Sequence, residues 1–452
     1  MKTKFSLYTA IALVIANMVG TGVFTSLGFQ VVSLSSGSAL LLLWLIGGLI
    51  ALCGALAYSE AGVMMPRCGG EYHFLSKMYH PLPGFLAGWV SFLVGFAAPV
   101  AAAAIALGNY LCSSVGWPKD LGWGVSFFST PSLIAITVIV FFTFIHASNK
   151  ILGANFQNVI TSVKVLIIFV LIVIGLAYGK SSAISFALDR SAFHDILSPA
   201  FVISMFFVTF SYSGWNAAAY VADEIKDPLK NIPLSLIGGT AVVVVMYVLL
   251  NFVFLRTVPA AELSGKIEIG YIYASRVFGA QGGKIMGTLI SVLLLSTISS
   301  MIIAGPRISK VIGEDYRLFR WMAKKNAKDI PCVAIITQGL FSIVYIMTAT
   351  FDQVIIFIGF TLNLFTFLTV LGVIVMRVKH PEIPRTYKTW GYPVTPIIFL
   401  AINIWILVYG LLYRPYQSLA GIGFTAAGVV VYFINKKIQR TGGGCTHPSS
   451  QK

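Results

Sequence analysis

Asn17-Met18-Val19-Gly20-Thr21-Gly22-Val23-Phe24 lies in the middle of an otherwise apolar run from about Leu7 to Leu34. That run is too long for a signal-peptide core, and no small-residue cleavage site follows it, so it reads as a membrane span. Its centre nevertheless holds Asn17, Thr21 and two glycines. Glycine tolerates dihedrals that a helix forbids, so Gly20-Thr21-Gly22 is where the helix can break. In lipid a break leaves backbone N–H and C=O groups unpaired, each at several kcal/mol, and it persists only where it lines a cavity. The half-helix after the break would aim its free N–H groups at that cavity, which is a site for a carboxylate. Small residues also allow two helices to pack closely. The stretch by itself leaves both readings open.

The whole chain supports a membrane setting. Of 452 residues 57% are hydrophobic and only 10% charged, with a mean hydropathy of +0.87. Soluble domains are roughly half apolar and a quarter charged, so this is a polytopic membrane protein. Hydropathy gives about twelve spans, near 7–34, 38–65, 82–112, 131–148, 156–178, 197–223, 232–255, 283–309, 331–349, 353–376, 393–413 and 418–435. Residues 1–6 precede them, and the polar tail 440–452 reads as disordered.

The net charge of +16 invites a nucleic-acid reading, but its distribution excludes one. With the N-terminus inside, 22 of the 31 Lys and Arg fall on inner segments, seven of them between Arg307 and Lys328. Eight fall on outer segments and Lys164 lies within a span. This bias places both termini in the cytoplasm and explains the charge without nucleic acid. Cys53, Cys68, Cys112, Cys332 and Cys445 are scattered, with no CxxC. Neither a disulfide framework nor a metal site follows from them. The chain has no HExxH, GxSxG or Walker-type motif. No cofactor, metal or enzymatic chemistry is expected.

A second interruption, Phe210-Ser211-Tyr212-Ser213-Gly214-Trp215-Asn216, lies in the middle of span six. A pair of Gly-interrupted spans at corresponding positions of two halves points to the binding site of an inverted-repeat transporter. The two breaks are traversed in opposite directions. One would offer N–H donors to a carboxylate and the other carbonyls to an ammonium, which together suit an α-amino acid. Lys164, in span five, is an intramembrane cation and a functional candidate. Snorkelling to the inner interface is the alternative. Span eight carries Ser296, Thr297, Ser299 and Ser300, which could ligate a cation, accept from a lysine, or simply hold spans together.

These residues resemble a known family. Met65-Pro66-Arg67-Cys68-Gly69-Gly70-Glu71-Tyr72 resembles the P-[KR]-x-G-G-E-Y signature of the amino acid–polyamine–organocation superfamily, and Val19 to Phe24 its G-[ST]-G-[IV]-F break. Phe210 to Asn216 resembles the F-[AS]-Y-x-G-W-N break of its L-type amino acid transporter branch. Asp223 to Pro233, Gly305-Pro306-Arg307, Arg385 to Lys388 and Gly391-Tyr392-Pro393 are similar to later signatures, so the match runs from about residue 8 to 435.

The resemblance implies an all-α fold of the LeuT type: a five-plus-five inverted repeat over 7–178 and 197–376, then two extra spans over 393–435. It implies broken helices in spans one and six. Thr21 and Gly22 would bind the substrate carboxylate, with Gly20 shaping the turn. The carbonyls of Phe210, Ser211 and Ser213 would bind the ammonium, and Phe210 would be a gate. Lys164 would stand in for a sodium ion between spans one and eight, near Ser296, Thr297, Ser299 and Ser300, or be proton-linked. Eukaryotic members of the branch pair with a glycoprotein through an outer-loop cysteine between spans three and four. Cys112, at the end of span three, is all this chain offers there, so no heavy-chain partner is expected.

The expected function is sodium-independent transport of neutral L-amino acids across the cell membrane, by exchange or proton symport. The alternative within transport is proton-coupled uptake of cationic amino acids or polyamines. A polytopic enzyme lacks paired carboxylates or a nucleophile within the spans. A channel or receptor would fail counterflow, in which preloaded substrate accelerates labelled uptake. The fifteen acidic residues all fall away from the expected span centres, with Glu60, Asp223 and Glu224 coming nearest. The resulting pocket would disfavour a second cation beside Lys164.

Overall fold

The computed structural model describes residues 4–121, 129–148, 154–179, 184–327 and 330–441. Lys2, Lys150, Lys180, Lys328, Lys452 and Cys445 lie outside the described residues. So does the expected tail from 442 onward. The last helix runs through Thr441, past the expected start of the tail at Arg440.

The first apolar run forms two helices, α1 (Leu7–Met18) and α2 (Gly22–Gln30). Ser6 opens α1 by accepting the Thr9 N–H at 3.2 Å, as an N-cap should. Ser36 caps α3 (Gly37–Met64) in the same way. After α4 (Glu71–Met78), the third span begins as α5 (Pro81–Val90). It widens to a π-helical turn over Ser91–Phe96 and continues as α6 (Ala97–Val115). Pro99 explains the wide turn. Its ring nitrogen cannot donate, and the ring crowds the carbonyl four residues back, at Gly95. Two spans follow, α7 (Thr130–Ser148) and α8 (Ala154–Tyr178).

The sixth region is built from pieces. α9 (Arg190–Leu197) lies across α10 (Pro199–Tyr212) at 70°. The corner is Ser198-Pro199: the residue before a proline is pushed to extended backbone, and Ser198 has ψ 151°. α10 ends at Tyr212, and a single helical turn, α11 (Ala217–Tyr220), resumes beyond Gly214. The rest comprises α12 (Pro228–Thr257), the short α13 (Ala260–Leu263) and α14 (Ile269–Asp315). α14 is interrupted at Gly279, φ 74°. Then come α15 (Arg320–Ala323), α16 (Cys332–Thr348), α17 (Phe351–Lys379), α18 (Val394–Tyr413) and α19 (Pro415–Thr441).

Among the described residues, ten helices are long and apolar enough to cross a membrane, and the bent α9–α10 pair makes an eleventh. The expected twelfth, at 331–349, is α16, a 17-residue helix at the short end of what spans a bilayer. Buried side chains run from one end of the bundle to the other and centre on α2, α6, α10 and α12.

Two polar ties close the ends. Glu60 of α3 is fully buried and takes Arg377 of α17 in a bidentate pair, Nε at 2.8 Å and Nη2 at 2.5 Å. It also accepts the Thr389 N–H at 2.8 Å, and Arg385 Nε lies 3.2 Å away. At the N-terminal edge, Phe5 pairs with the segment after α11: its N–H donates to Glu224 at 2.7 Å, and its carbonyl accepts from Lys226 at 2.9 Å.

Candidate functional site

Both expected interruptions are real breaks. At the first, α1 stops at Met18 and Val19 leaves the helical region at ψ 86°. The carbonyls freed by the break are claimed. Tyr247 of α12 donates its hydroxyl to Met18 O at 2.7 Å, and Lys164 Nζ donates to Val19 O at 3.2 Å. The N–H groups of Gly20, Thr21 and Gly22 have no partner among the described residues. They form the start of α2, where unpaired donors and the positive dipole end coincide. At the second break, Ser213 N–H turns back to Phe210 O at 3.0 Å, and Gly214 follows at φ 99°. A Cβ at Gly214 would sit 2.8 Å from the backbone of Asn17, so the two breaks touch there.

The breaks also touch a helical turn away. Ser26 and Ser211 share a hydrogen bond at 2.9 Å, and Ser211 donates to Phe207 O at 2.7 Å. A Cβ at Gly22 would lie 2.5 Å from Ser211 Cα. The glycine expected to admit a carboxylate thus first admits α10. Thr21 and Ser211 are 4% and 2% exposed.

Lys164 does not snorkel. It is 2% exposed and donates to Thr297 Oγ1 at 2.8 Å as well as to Val19 O. It therefore bridges the first break and span eight. A cavity of about 10 Å³ adjoins Lys164, Gly20 and Thr297, roughly the space of one water. The expected hydroxyl cluster divides. Thr297 meets Lys164, Ser299 shares a 2.9 Å hydrogen bond with His146 of α7, and Ser300 returns to its own helix at Thr297 O. No bond to Lys164 is seen for Ser296 or Ser299, which lie off the Thr297 face, or for Ser300, whose hydroxyl is taken by Thr297 O.

A cavity of about 470 Å³ starts at the breaks and extends to Glu224, Arg307 and Lys310. Phe210, Ser213, Gly214 and Asn17 line it; Gly20, Thr21, Gly22 and Ser211 do not. Phe210, the expected gate, is 8% exposed and stands in its wall. At the other end of the breaks the bundle is shut. Gly265 N–H reaches Gly28 O at 2.8 Å, and Tyr110 ties Phe24 O at 2.7 Å to Gly270 N–H at 2.9 Å.

Sequence reasoning missed two parts of this wall. One is the π turn of span three, which brings Ser91, Gly95 and Phe96 to the cavity; Pro99 was its signal. The other is Glu71, 3% exposed, whose Oε1 accepts from Tyr58 at 2.7 Å and from Asn216 at 3.0 Å. It had been visible only as part of a signature.

A bundle of membrane-length helices, two of them broken toward each other at a solute-sized cavity, defines a transporter-type membrane protein. The chain belongs to the amino acid permease family, whose family model matches residues 5–434, within the amino acid–polyamine–organocation superfamily. It is similar to the "b(0,+)-type amino acid transporter 1" of Mus musculus, 24% identical over 96% of this chain and 88% of that one. It is similar to the "Large neutral amino acids transporter small subunit 2" of Mus musculus, 25% identical over 96% and 81%. It is also similar to the "Serine/threonine exchanger SteT" of Bacillus subtilis, 27% identical over 97% and 98%. The family and these relatives are amino acid transporters, not enzymes. The chain is a multi-pass membrane protein and an amino acid transporter.

Proposed function

We propose that the chain carries neutral L-amino acids by alternating access, independently of sodium, by exchange or proton symport. The observation that carries this reading is the pair of facing breaks at one cavity. Unpaired N–H groups at Gly20–Gly22 suit the substrate carboxylate, and the carbonyls of Ser211 and Ser213, with the remaining lone pair of Phe210 O, suit its ammonium. A volume of about 470 Å³ is ample for an amino acid. Because Gly22 and Ser211 are now packed together, substrate entry needs α2 and α10 to part slightly, with Phe210 turning as gate. Lys164 supplies the fixed positive charge that a sodium ion would otherwise bring between spans one and eight.

Among the relatives named above, one is by name a transporter of large neutral amino acids and one an exchanger, which supports the neutral and exchange readings. The repeats are taken to run over 7–178 and 197–376, in a cell membrane with both termini cytoplasmic. The shut end then faces out and the cavity faces in. Cys112 is 1% exposed, and residues 113–129 contain no cysteine, which supports a transporter without a disulfide-linked heavy chain.

The cationic or polyamine alternative draws on one observation: Glu71 and Glu224 line the cavity. A competition screen of amino acids in proteoliposomes, with sodium replaced and with and without a pH gradient, decides between them. Labelled uptake accelerated by internal neutral amino acid supports the proposal; acceleration by arginine or putrescine alone overturns it.

A further inference from the structure

Of the buried carboxylates among the described residues, Asp195 accepts the Ser35 and Ser36 N–H groups at 2.8 Å, away from the cavity, and Glu71 is the one in the cavity wall. Glu60 has two arginines, and Glu268 has Lys119 at 2.6 Å. Among the described residues Glu71 forms no ion pair. Its donors are neutral: Tyr58 of α3 and Asn216 at the second break, with Tyr220 of α11 beside them. A buried carboxylate without a cation is costly as a charge, and binding a proton is how it sheds that cost.

The donors sit on two sides of a joint. Tyr58 belongs to α3, and Glu71 starts α4 at the elbow that follows it. Asn216 and Tyr220 belong to the second half of the broken span, between Gly214 and the turn at Ala222–Glu224. The Tyr220 ring lies against Gly70. Glu71 therefore pins this half-helix to the elbow, in the wall of the cavity. We propose that Glu71 is a proton-binding site coupled to movement of the half-helix Asn216–Tyr220, and that it makes transport proton-linked. This rests on the transport reading above and adds a residue to it.

The coupling follows from linkage. Bonds to an ionised acceptor are about twice as strong as neutral ones, so the charged carboxyl holds Asn216 and Tyr220 in place. Protonation weakens the hold. Conversely, when the half-helix moves away, Glu71 loses donors to its charged form and binds its proton more tightly; the two effects are equal by necessity. Burial lifts the Glu71 carboxyl to about 7, against the opposing bonds from Tyr58, Asn216 and Tyr220, so it changes state within the physiological range.

The surrounding groups do not share that range. On its own segment, burial, aided by Arg67 and Lys77, lowers His73 to about 4. Burial, with Asp223, raises Cys68 to about 12. Tyr220 hydrogen-bonds Glu71 itself. From α17, Thr369 hydrogen-bonds Tyr58, and from the π turn Ser91 hydrogen-bonds Tyr220; neither titrates. Glu224, Arg307 and Lys310 line the same cavity, and Asp315 accepts from Tyr72 beside Glu71.

The test uses purified full-length protein in proteoliposomes. Infrared difference spectra between about pH 6 and about pH 8 report a protonated buried carboxyl directly, without substrate. Serine and leucine counterflow is measured over the same range. In the wild type a carboxyl titrates near 7, and the counterflow rate changes roughly tenfold, the change in ionised fraction across two pH units centred there. Glu71→Gln removes the infrared band and flattens the profile to under about twofold. Tyr58→Phe removes one donor to the charged form and moves the midpoint upward, which keeps the proposal testable if Glu71→Gln does not fold. A band that persists in Glu71→Gln, or a midpoint unmoved in Tyr58→Phe, overturns it. Titration as described without counterflow of either amino acid supports the proton site and overturns the transport reading. Counterflow with no such titration does the reverse.

Discussion

Lys164 Nζ donates to the carbonyl oxygen of Val19 at 3.2 Å, the carbonyl that the broken first span leaves open. The same ammonium reaches Thr297 Oγ1 on α14 at 2.8 Å. A cation at this place holds the break in shape and ties it to span eight. Lys164→Ala leaves the Val19 carbonyl unpaired and removes the charge-assisted bonds to it and to Thr297, which keeps its own bond to Leu293 O, an effect of about 1.5–3 kcal/mol. Transport is expected to fall by about tenfold or more while expression and membrane insertion persist. Wild-type uptake is expected to survive replacement of sodium by choline. Uptake that collapses in choline would refute the assignment.

Gly20 and Gly22 separate two effects that the sequence cannot distinguish. A Cβ at Gly20 finds its nearest neighbour, Thr297 Cγ2, at 3.7 Å, whereas one at Gly22 would be 2.5 Å from Ser211 Cα. Gly20→Ala should fold and bind nearly normally. Gly22→Val should lower the melting temperature by forcing α2 from α10, so its loss of binding would say little about the carboxylate. Substrate analogues test that contact better. The amide or methyl ester of a transported amino acid should bind at least about tenfold more weakly than the acid, because hydrogen bonds to a charged group contribute about 1.5–3 kcal/mol. Equal affinity by thermal shift would remove the carboxylate from Gly20–Gly22.

The breaks and the intramembrane Lys164 were legible because each is a local contradiction: Gly, Ser or Lys where lipid demands apolar residues. What was not legible depends on partners distant in sequence. Glu60 gave no hint of Arg377 and Arg385, more than three hundred residues on. Of the serine and threonine cluster, sequence could not choose Thr297 as the partner of Lys164, because the rotation of α14 about its axis is set by packing. The corner at Ser198-Pro199 and the widening before Pro99 were written in the prolines but require knowing which carbonyl each one meets.

The Glu60 cluster makes a stability prediction. Its carboxylate is fully buried and shared by Arg377, Arg385 and Thr389. Glu60→Ala strands two guanidinium groups, and breaking a buried pair from one side costs about 3–5 kcal/mol. Purified Glu60→Ala is expected to melt well below the wild type. An unchanged melting curve would mean that water or lipid headgroups already neutralise the arginines.

Glu71 predicts the opposite pH behaviour from a salt-bridged acid. Burial raises its carboxyl from 4.5 to about 7 in the folded protein. The folded state then holds a proton that the unfolded state has released. The stability Glu71 contributes is complete below about 4.5 and is lost as pH rises to about 7, beyond which the loss is constant. Glu71→Gln lacks this term. Its melting temperature should therefore gain on the wild type between those values and keep a fixed difference above them. A difference independent of pH would show that Glu71 is not buried as a free acid.

The last prediction concerns substrate charge. Lys164 is fixed at the first break, and a lysine or arginine substrate whose carboxylate reached that break would bring a second cation toward it. Such a charge needs a carboxylate partner, since desolvation alone costs several kcal/mol. The span-embedded candidate, Glu60, is committed to Arg377 and Arg385. Glu71 lines the cavity but is engaged by Tyr58 and Asn216 through the same oxygen, and at neutral pH about half of it is uncharged. Glu224 lines the cavity together with Arg307 and Lys310, so a basic substrate there would meet like charge as well. Between them the wall offers Asn363, Asn403, Thr209 and apolar side chains, which suit neutral groups. Alanine, serine, leucine and phenylalanine should therefore stabilise the purified protein more than arginine or lysine does at equal concentration. If arginine or lysine gives the largest thermal shift, Glu71 or Glu224 is serving as its partner. Glu71→Gln and Glu224→Gln would then show which, by abolishing that shift while sparing any given by leucine.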